Sequence, residues 1–276
     1  MLLFFDTGYI YRITASLCRL AFAHKVFVFI LYLLCIRSMT CFTHLMDFST
    51  LQPRIHAPIL RQRLSRLIAS SHPDNALSSI MTNAHLSIWQ EGWQKISTTK
   101  VDSGQQPSVA DSEQAVTDWL IDLFNTVFAH QKVVLVRGQG EPEYFPATAT
   151  LPARIEFAHG FFASALHELS HWCIAGEARR QLADFGYWYA PDGRSEAQQQ
   201  AFERVEIKPQ ALECLFTLAC GRVFRVSQDN LFADFDTSGS TFALDVYQQT
   251  KDYIARPHTL PRDAKTLLHT FLCVCN

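Results

Sequence analysis

Two histidines stand four residues apart in His167-Glu168-Leu169-Ser170-His171, a spacing that on a helix stacks them one turn apart on the same face. Imidazoles converging in this way can each give a nitrogen to a divalent cation. Glu168, one step round the helix, is placed to lie near a metal-bound water or to orient a ligand. Leu166, Leu169, Trp172 and Cys173 make the rest of the segment apolar, so the pair is set in or beside a buried region, where an unpaired imidazole is costly. The bland reading of the same pattern is two core histidines bonded to backbone carbonyls.

Two histidines need a third protein ligand, and the stretch FERVEIKPQALECL offers Glu203, Glu206 and Glu213. Glu206 is the choice, because it stands between Val205 and Ile207 and an inward carboxylate among apolar neighbours is commonly paired with a cation. Spacing alone fits equally well a surface carboxylate beside Arg204 or Lys208. Two histidines and one carboxylate leave about three positions open on an octahedral metal, which suits iron(II) working with dioxygen beside a substrate. The same side chains suit a zinc hydrolase, in which Glu168 would be the general base that activates water. In the iron reading Glu168 supports a ligand from behind. Spacing does not separate the two.

These residues need elements to position them. GFFASALHELSHWCIAG reads as a helix of about four turns that stops at Gly176. A second helix is expected over 209–220, opened by Pro209 after an irregular lead-in and closed before Gly221. Upstream, Val116, Leu120, Leu123, Phe124, Val127 and Phe128 fall at helical spacing behind a cap at Asp111 or Ser112. VVLV at 133–136 and IEF at 155–157 read as short strands separated by a Gly- and Pro-bearing loop. Modest strands among helices, in no regular strand–helix repeat and without a glycine fingerprint, predict an α+β domain with a small sheet.

That domain is expected over 111–276. The preceding 1–110 read as an N-terminal extension, with a basic helical piece near Arg61, tryptophans at 89 and 93, and the polar linker TTKVDSGQQPSVADS. Within the extension lies the apolar run VFVFILYLLCI at 26–36, flanked by Lys25 and Arg37. It is shorter than the roughly 20 residues a membrane span requires, so membrane association is not expected. A signal peptide would fit the basic flank, yet no small-x-small cleavage site follows cleanly. The alternative is a translation start at Met39, Met46 or beyond. A net charge of -2 provides no long-range field to gather nucleic acid. The 8 cysteines form no Cys-x-x-Cys pair and read as reduced thiols of a cytoplasmic protein.

AHGFFASALHELSHWCIAGEARRQLADFGYWYAPDGR and FERVEIKPQALECLFTLACG together resemble the bacterial elongation factor P hydroxylase family, as do LFNTVFA, GEPEYFPATATLPARIEFAHG and VSQDNLFADF around them. The resemblance covers about 113–235 and extends through non-catalytic stretches such as DFGYWYAPDGR. It implies an iron(II) enzyme that uses dioxygen to hydroxylate the lysine of elongation factor P once that lysine carries a β-lysyl group. It assigns metal binding to His167, His171 and Glu206, with Glu168 matching the residue between the histidines. Nothing before about Asp111 follows the family pattern, and the chain stops at LLHTFLCVCN, earlier than the resemblance leads us to expect.

Substrate contacts are less sharply marked. Tyr187, Trp188 and Tyr189 could wall a slot for a long aliphatic amine, with Asp184 and Asp192 meeting its ammonium groups. Aromatics at this density also suit a core, and Pro191-Asp192-Gly193 also suits a turn. Arg179 and Arg180 could face an acidic protein partner, or simply solvent. The sequence carries no flavin, nicotinamide or iron–sulfur motif and no recognisable 2-oxoglutarate clamp, so it does not identify the electron source.

Overall fold

The computed structural model describes residues 46–71, 83–98, 109–187 and 192–275. The apolar run at 26–36, Trp188 and Tyr189 fall outside them. The described helices are α1 (Gln52–Ile55), α2 (Pro58–Ser71), α3 (Asn83–Thr98), α4 (Val109–Val127), α5 (Phe162–Arg179), α6 (Glu196–Ala219), α7 (Phe242–Ala255) and α8 (Arg262–Val274). The strands are β1 (Val133–Arg137), β2 (Glu143–Phe145) and β3 (Ala153–Phe157). Among the described residues no helix is long and apolar enough to cross a membrane.

The α+β class expected from the sequence is the one observed. Strand order is β1-β3-β2, with β1 parallel and β2 antiparallel to the central β3, so that both Leu135 and Tyr144 register with Ile155. Side chains alternate across the sheet. Val133, Leu135, Ala153, Ile155 and Phe157 are all buried, and the sheet packs on α4 and on the histidine-bearing α5. Trp172 of α5 packs edge to face on Phe124 of α4 and on Phe128 just past its end, at 5.3 and 5.1 Å, the geometry aromatic quadrupoles prefer.

Helix α4 starts at Val109, ahead of the caps expected at Asp111 and Ser112. Helix α5 breaks at Gly176, whose left-handed φ of 67° suits glycine, and a last turn runs on to Arg179. Helix α6 differs most from expectation. It begins at Glu196 with a capping box formed by Ser195 and Gln198, and it passes through Pro209 without ending. Proline lacks the N–H that the carbonyl of Val205 would receive, and α6 continues without that bond.

The boundary expected near residue 110 falls between elements that share one core. Leu60 and Leu64 of α2 and Trp89 and Trp93 of α3 are buried with Trp119, Phe216 and Phe271. The Trp89 indole donates to Asp122, and the Trp119 indole donates to the Trp89 carbonyl, at 2.9 and 3.0 Å.

Candidate metal centre

Helix α5 enters from Phe161, whose extended backbone provides no side-chain cap. Glu113 of α4 takes that role, because its carboxylate accepts from the Phe162 N–H at 2.9 Å. A carboxylate there satisfies an otherwise orphaned donor and complements the positive end of the helix dipole. Arg222 holds the other Glu113 oxygen at 2.9 Å, tying the start of α5 to the end of α6. This fixes the phase in which α5 presents His167 and His171.

The two imidazoles meet with their Nε2 atoms 3.0 Å apart. Opposite them Glu206 of α6 is 1% exposed, its Oε2 lying 3.6 Å from His167 Nε2 and its Oε1 3.4 Å from His171 Nε2. Neither Glu206 oxygen has a hydrogen-bond partner, and they are the only such buried side-chain atoms among the described residues. Leaving a buried carboxylate this way is expensive unless a cation completes it. Donors about 2.1 Å from one metal are separated by about 3.0 Å in cis octahedral and about 3.4 Å in tetrahedral geometry. The two imidazole nitrogens are 3.0 Å apart and each faces a different Glu206 oxygen; one donor atom from each of the three residues lies within 4.8 Å of the others, which suits a single divalent cation and does not choose between iron and zinc.

Glu206 faces inward through helical phase. Its neighbour Val205 is exposed, so apolar flanks are not what draws it in. Gln199, Glu203, Glu206, Gln210 and Glu213 recur at intervals of four and three and form one polar stripe along α6. At its end Glu213 accepts from His167 Nδ1 at 2.9 Å, which leaves Nε2 free to meet a metal. Spacing offers Glu213 only as a competing third ligand, and the structure puts it behind His167 instead. The 4-3-4-3 spacing was the signal for its place beside Glu206.

Burial alone would depress the His167 imidazole, but the hydrogen bond and charge of Glu213, with the charges of Glu206 and Glu168, push it up to about 10. Burial tends to raise the Glu206 carboxyl, yet His171, His167 and Arg194 hold it below its usual range. Glu168 moves upward: burial dominates, the two imidazoles only partly oppose it, and Glu206 and Asp184 add to the rise. The negative charge that Glu213, Glu206 and Glu168 bring to His167 makes this a site that favours a cation.

The expected substrate residues divide. Asp184 lies within Coulombic reach of Glu168, and its carboxylate accepts from the Tyr144 N–H at 2.9 Å. Tyr187 carries the Arg179 guanidinium 3.5 Å above its ring. Asp192 accepts from the N–H groups of Gly193 and Phe232 at 2.7 and 3.2 Å, pinning a loop. Tyr189 lies outside the described residues. Arg180, one of two candidates for a partner surface, is turned inward onto Asp263.

The family described as elongation factor P hydroxylase matches residues 123–274. Elongation factor P lysine hydroxylase of Haemophilus influenzae is 47% identical over 152 residues, which cover 54% of this chain and 83% of that relative. The matched stretch contains His167, Glu168, His171, Glu206 and Glu213.

Proposed function

Because the chain belongs to the elongation factor P hydroxylase family, we propose that it hydroxylates a lysine of elongation factor P at a metal held by His167, His171 and Glu206. The observation that carries this reading is the Glu206 carboxylate, buried and without a hydrogen-bond partner, facing two imidazole nitrogens inside the matched stretch. The metal is iron(II) and the substrate is the lysine that already bears a β-lysyl group, as the resemblance implies. The working domain is the 111–276 stretch, buttressed by α2 and α3 through their shared core. Since its substrate is a translation factor, we place the enzyme in the cytoplasm.

Iron(II) bound to these ligands would supply the activation of dioxygen, with about three positions left for oxygen and solvent. The net change inserts one oxygen atom into a C–H bond. The second oxygen leaves as water, which takes two electrons and two protons from an external donor. The protein's part is to hold and orient. Glu213 would fix the tautomer of His167, and Glu206 would bring negative charge to the metal.

A zinc hydrolase remains the second reading, favoured by the raised Glu168 carboxyl, which is suited to a general base. One experiment separates them: mass spectrometry of β-lysylated elongation factor P incubated with iron-loaded protein, an electron donor and air. The expected result is a gain of one oxygen, retained by Glu168→Gln at a rate reduced about 10 to 100-fold. Peptide cleavage with no oxygen added, restored by zinc and abolished in Glu168→Gln, would overturn the hydroxylase reading.

A further inference from the structure

The polar stripe of α6 continues beyond the metal ligands, and its other members hold a loop. Gln210 receives the Ser227 N–H at 3.1 Å and donates to the Ser227 carbonyl at 2.7 Å. Gln199 donates to the Gln228 carbonyl at 2.8 Å. Residues 227–230 are thus fastened to the helix face that presents Glu206, which lies between Gln199 and Gln210 on the same stripe. The clamp is Arg194, only 3% exposed. It donates to Gln199, to the Asp229 carbonyl and, at 3.4 Å, to one Asp229 carboxylate oxygen. Arg194 also lies within Coulombic reach of Glu206.

Asp229 is therefore anchored, through Arg194 and Gln199, to the face of α6 that carries Glu206. Its side chain is 71% exposed, and His167 lies within Coulombic reach of it. Asn230 completes the attachment by accepting from the Gly193 and Arg194 N–H groups at 2.9 and 3.1 Å.

Resting on the hydroxylase reading above, we propose that Asp229 receives a primary ammonium group of the modified lysine side chain. An alkylammonium substrate poses a physical problem at a dication, which repels it. A carboxylate on the wall of the site must hold the ammonium away from the metal while the aliphatic carbons reach toward it. Asp229 is the exposed carboxylate anchored from the Glu206 face of α6, and its distance from the metal ligands would decide which carbon is presented for oxidation. Arg194 serves as a positioning residue, since it orients Asp229 through the loop and touches no substrate.

The test is equilibrium binding, without turnover, of β-lysylated elongation factor P to the iron-loaded protein under anaerobic conditions, for wild type and Asp229→Asn. Asparagine keeps the size of the side chain and tolerates the left-handed backbone at this position. The substitution is expected to weaken binding at least about tenfold with iron content unchanged. Elongation factor P whose amines are acetylated should bind wild type and variant alike, a result that a merely structural defect would not give. Equal affinity of both proteins for the unacetylated substrate, or loss of iron from the variant, overturns the proposal. Oxygen addition by wild type is measured separately, so failure of the hydroxylase reading is distinguishable from failure at Asp229.

Discussion

Helix α5 and its C-terminal cap contribute to two clusters of buried charge that are built in opposite ways. At Arg180 each guanidinium nitrogen is engaged: it pairs with Asp263 at 2.7 Å, donates to the Trp172 carbonyl and to Gln131, and lies 3.6 Å above the Trp172 ring. Asp263 in turn accepts from Gln131 at 2.9 Å and from Arg262 at 3.2 Å. At His171 the charge is left open, because Glu206 is as deeply buried as Asp263 yet has no donor for either oxygen. A closed cluster holds elements together. An open one made of nitrogen and oxygen donors is where a missing cation belongs. Burial of charge is therefore a poor guide to function here, and incomplete hydrogen bonding is a good one.

The comparison can be broken most forcefully from the closed side. Asp263→Ala should destabilise the fold by about 3–5 kcal/mol, since it strands a buried guanidinium, while metal stoichiometry stays at wild type. Chemical denaturation monitored with metal content tests this. Burial alone would raise the Asp263 carboxyl, but Arg180 and Gln131 hold it below its usual range. Its contribution is thus fully present above the unfolded value of about 3.9 and is lost as pH falls through the lower folded value. The gap between variant and wild type should narrow in acid and stay constant through neutral pH. An Asp263→Ala protein of normal stability that loses its metal would reverse the roles given to the two clusters.

Glu213→Gln sharpens the comparison with a smaller effect. The amide can still accept from His167 Nδ1 but carries no charge, so metal affinity should fall about 10 to 100-fold with little change in stability. Metal titration gives the affinity, and nitrogen NMR of the His167 ring gives the tautomer. An unaltered affinity would show that Glu213 packs beside His167 without supporting it.

Much of this was legible in the sequence and some was not, for identifiable reasons. The four-residue histidine spacing is a local property of one helix and survives into the structure intact. Glu206 was readable as inward, although the reason lay in helical phase and not in Val205, which is exposed. The stripe from Gln199 to Glu213 was hidden by Pro209. A helix opened at proline has no phase relation to residues before it, so Glu206 and Glu213 could not be placed on one face until α6 was seen to run through. Strand β2 was missed because three residues of a Gly- and Pro-bearing loop carry no period of their own, and it is β3 that orders them. Helix α3 does carry a helical stripe that the expectation of an extension left unused: Leu86, Trp89, Trp93 and Ile96 recur at intervals of three and four and pack against the core. The resemblance is carried by about 113–235 and more weakly by the rest of the C-terminal part, and the family match over 123–274 reaches through α8.

The central claim is that His167, His171 and Glu206 form one metal site whose open valence Glu206 supplies. It is tested most directly by measuring iron content and melting temperature on wild type and Glu206→Gln, each loaded anaerobically and checked for native circular dichroism. Wild type should hold one equivalent and be stabilised by about 4 kcal/mol when free iron is a thousandfold above its Kd. The folded Glu206→Gln protein should hold none and show no iron-dependent rise. One equivalent retained by folded Glu206→Gln, with the same rise in melting temperature, would contradict the account.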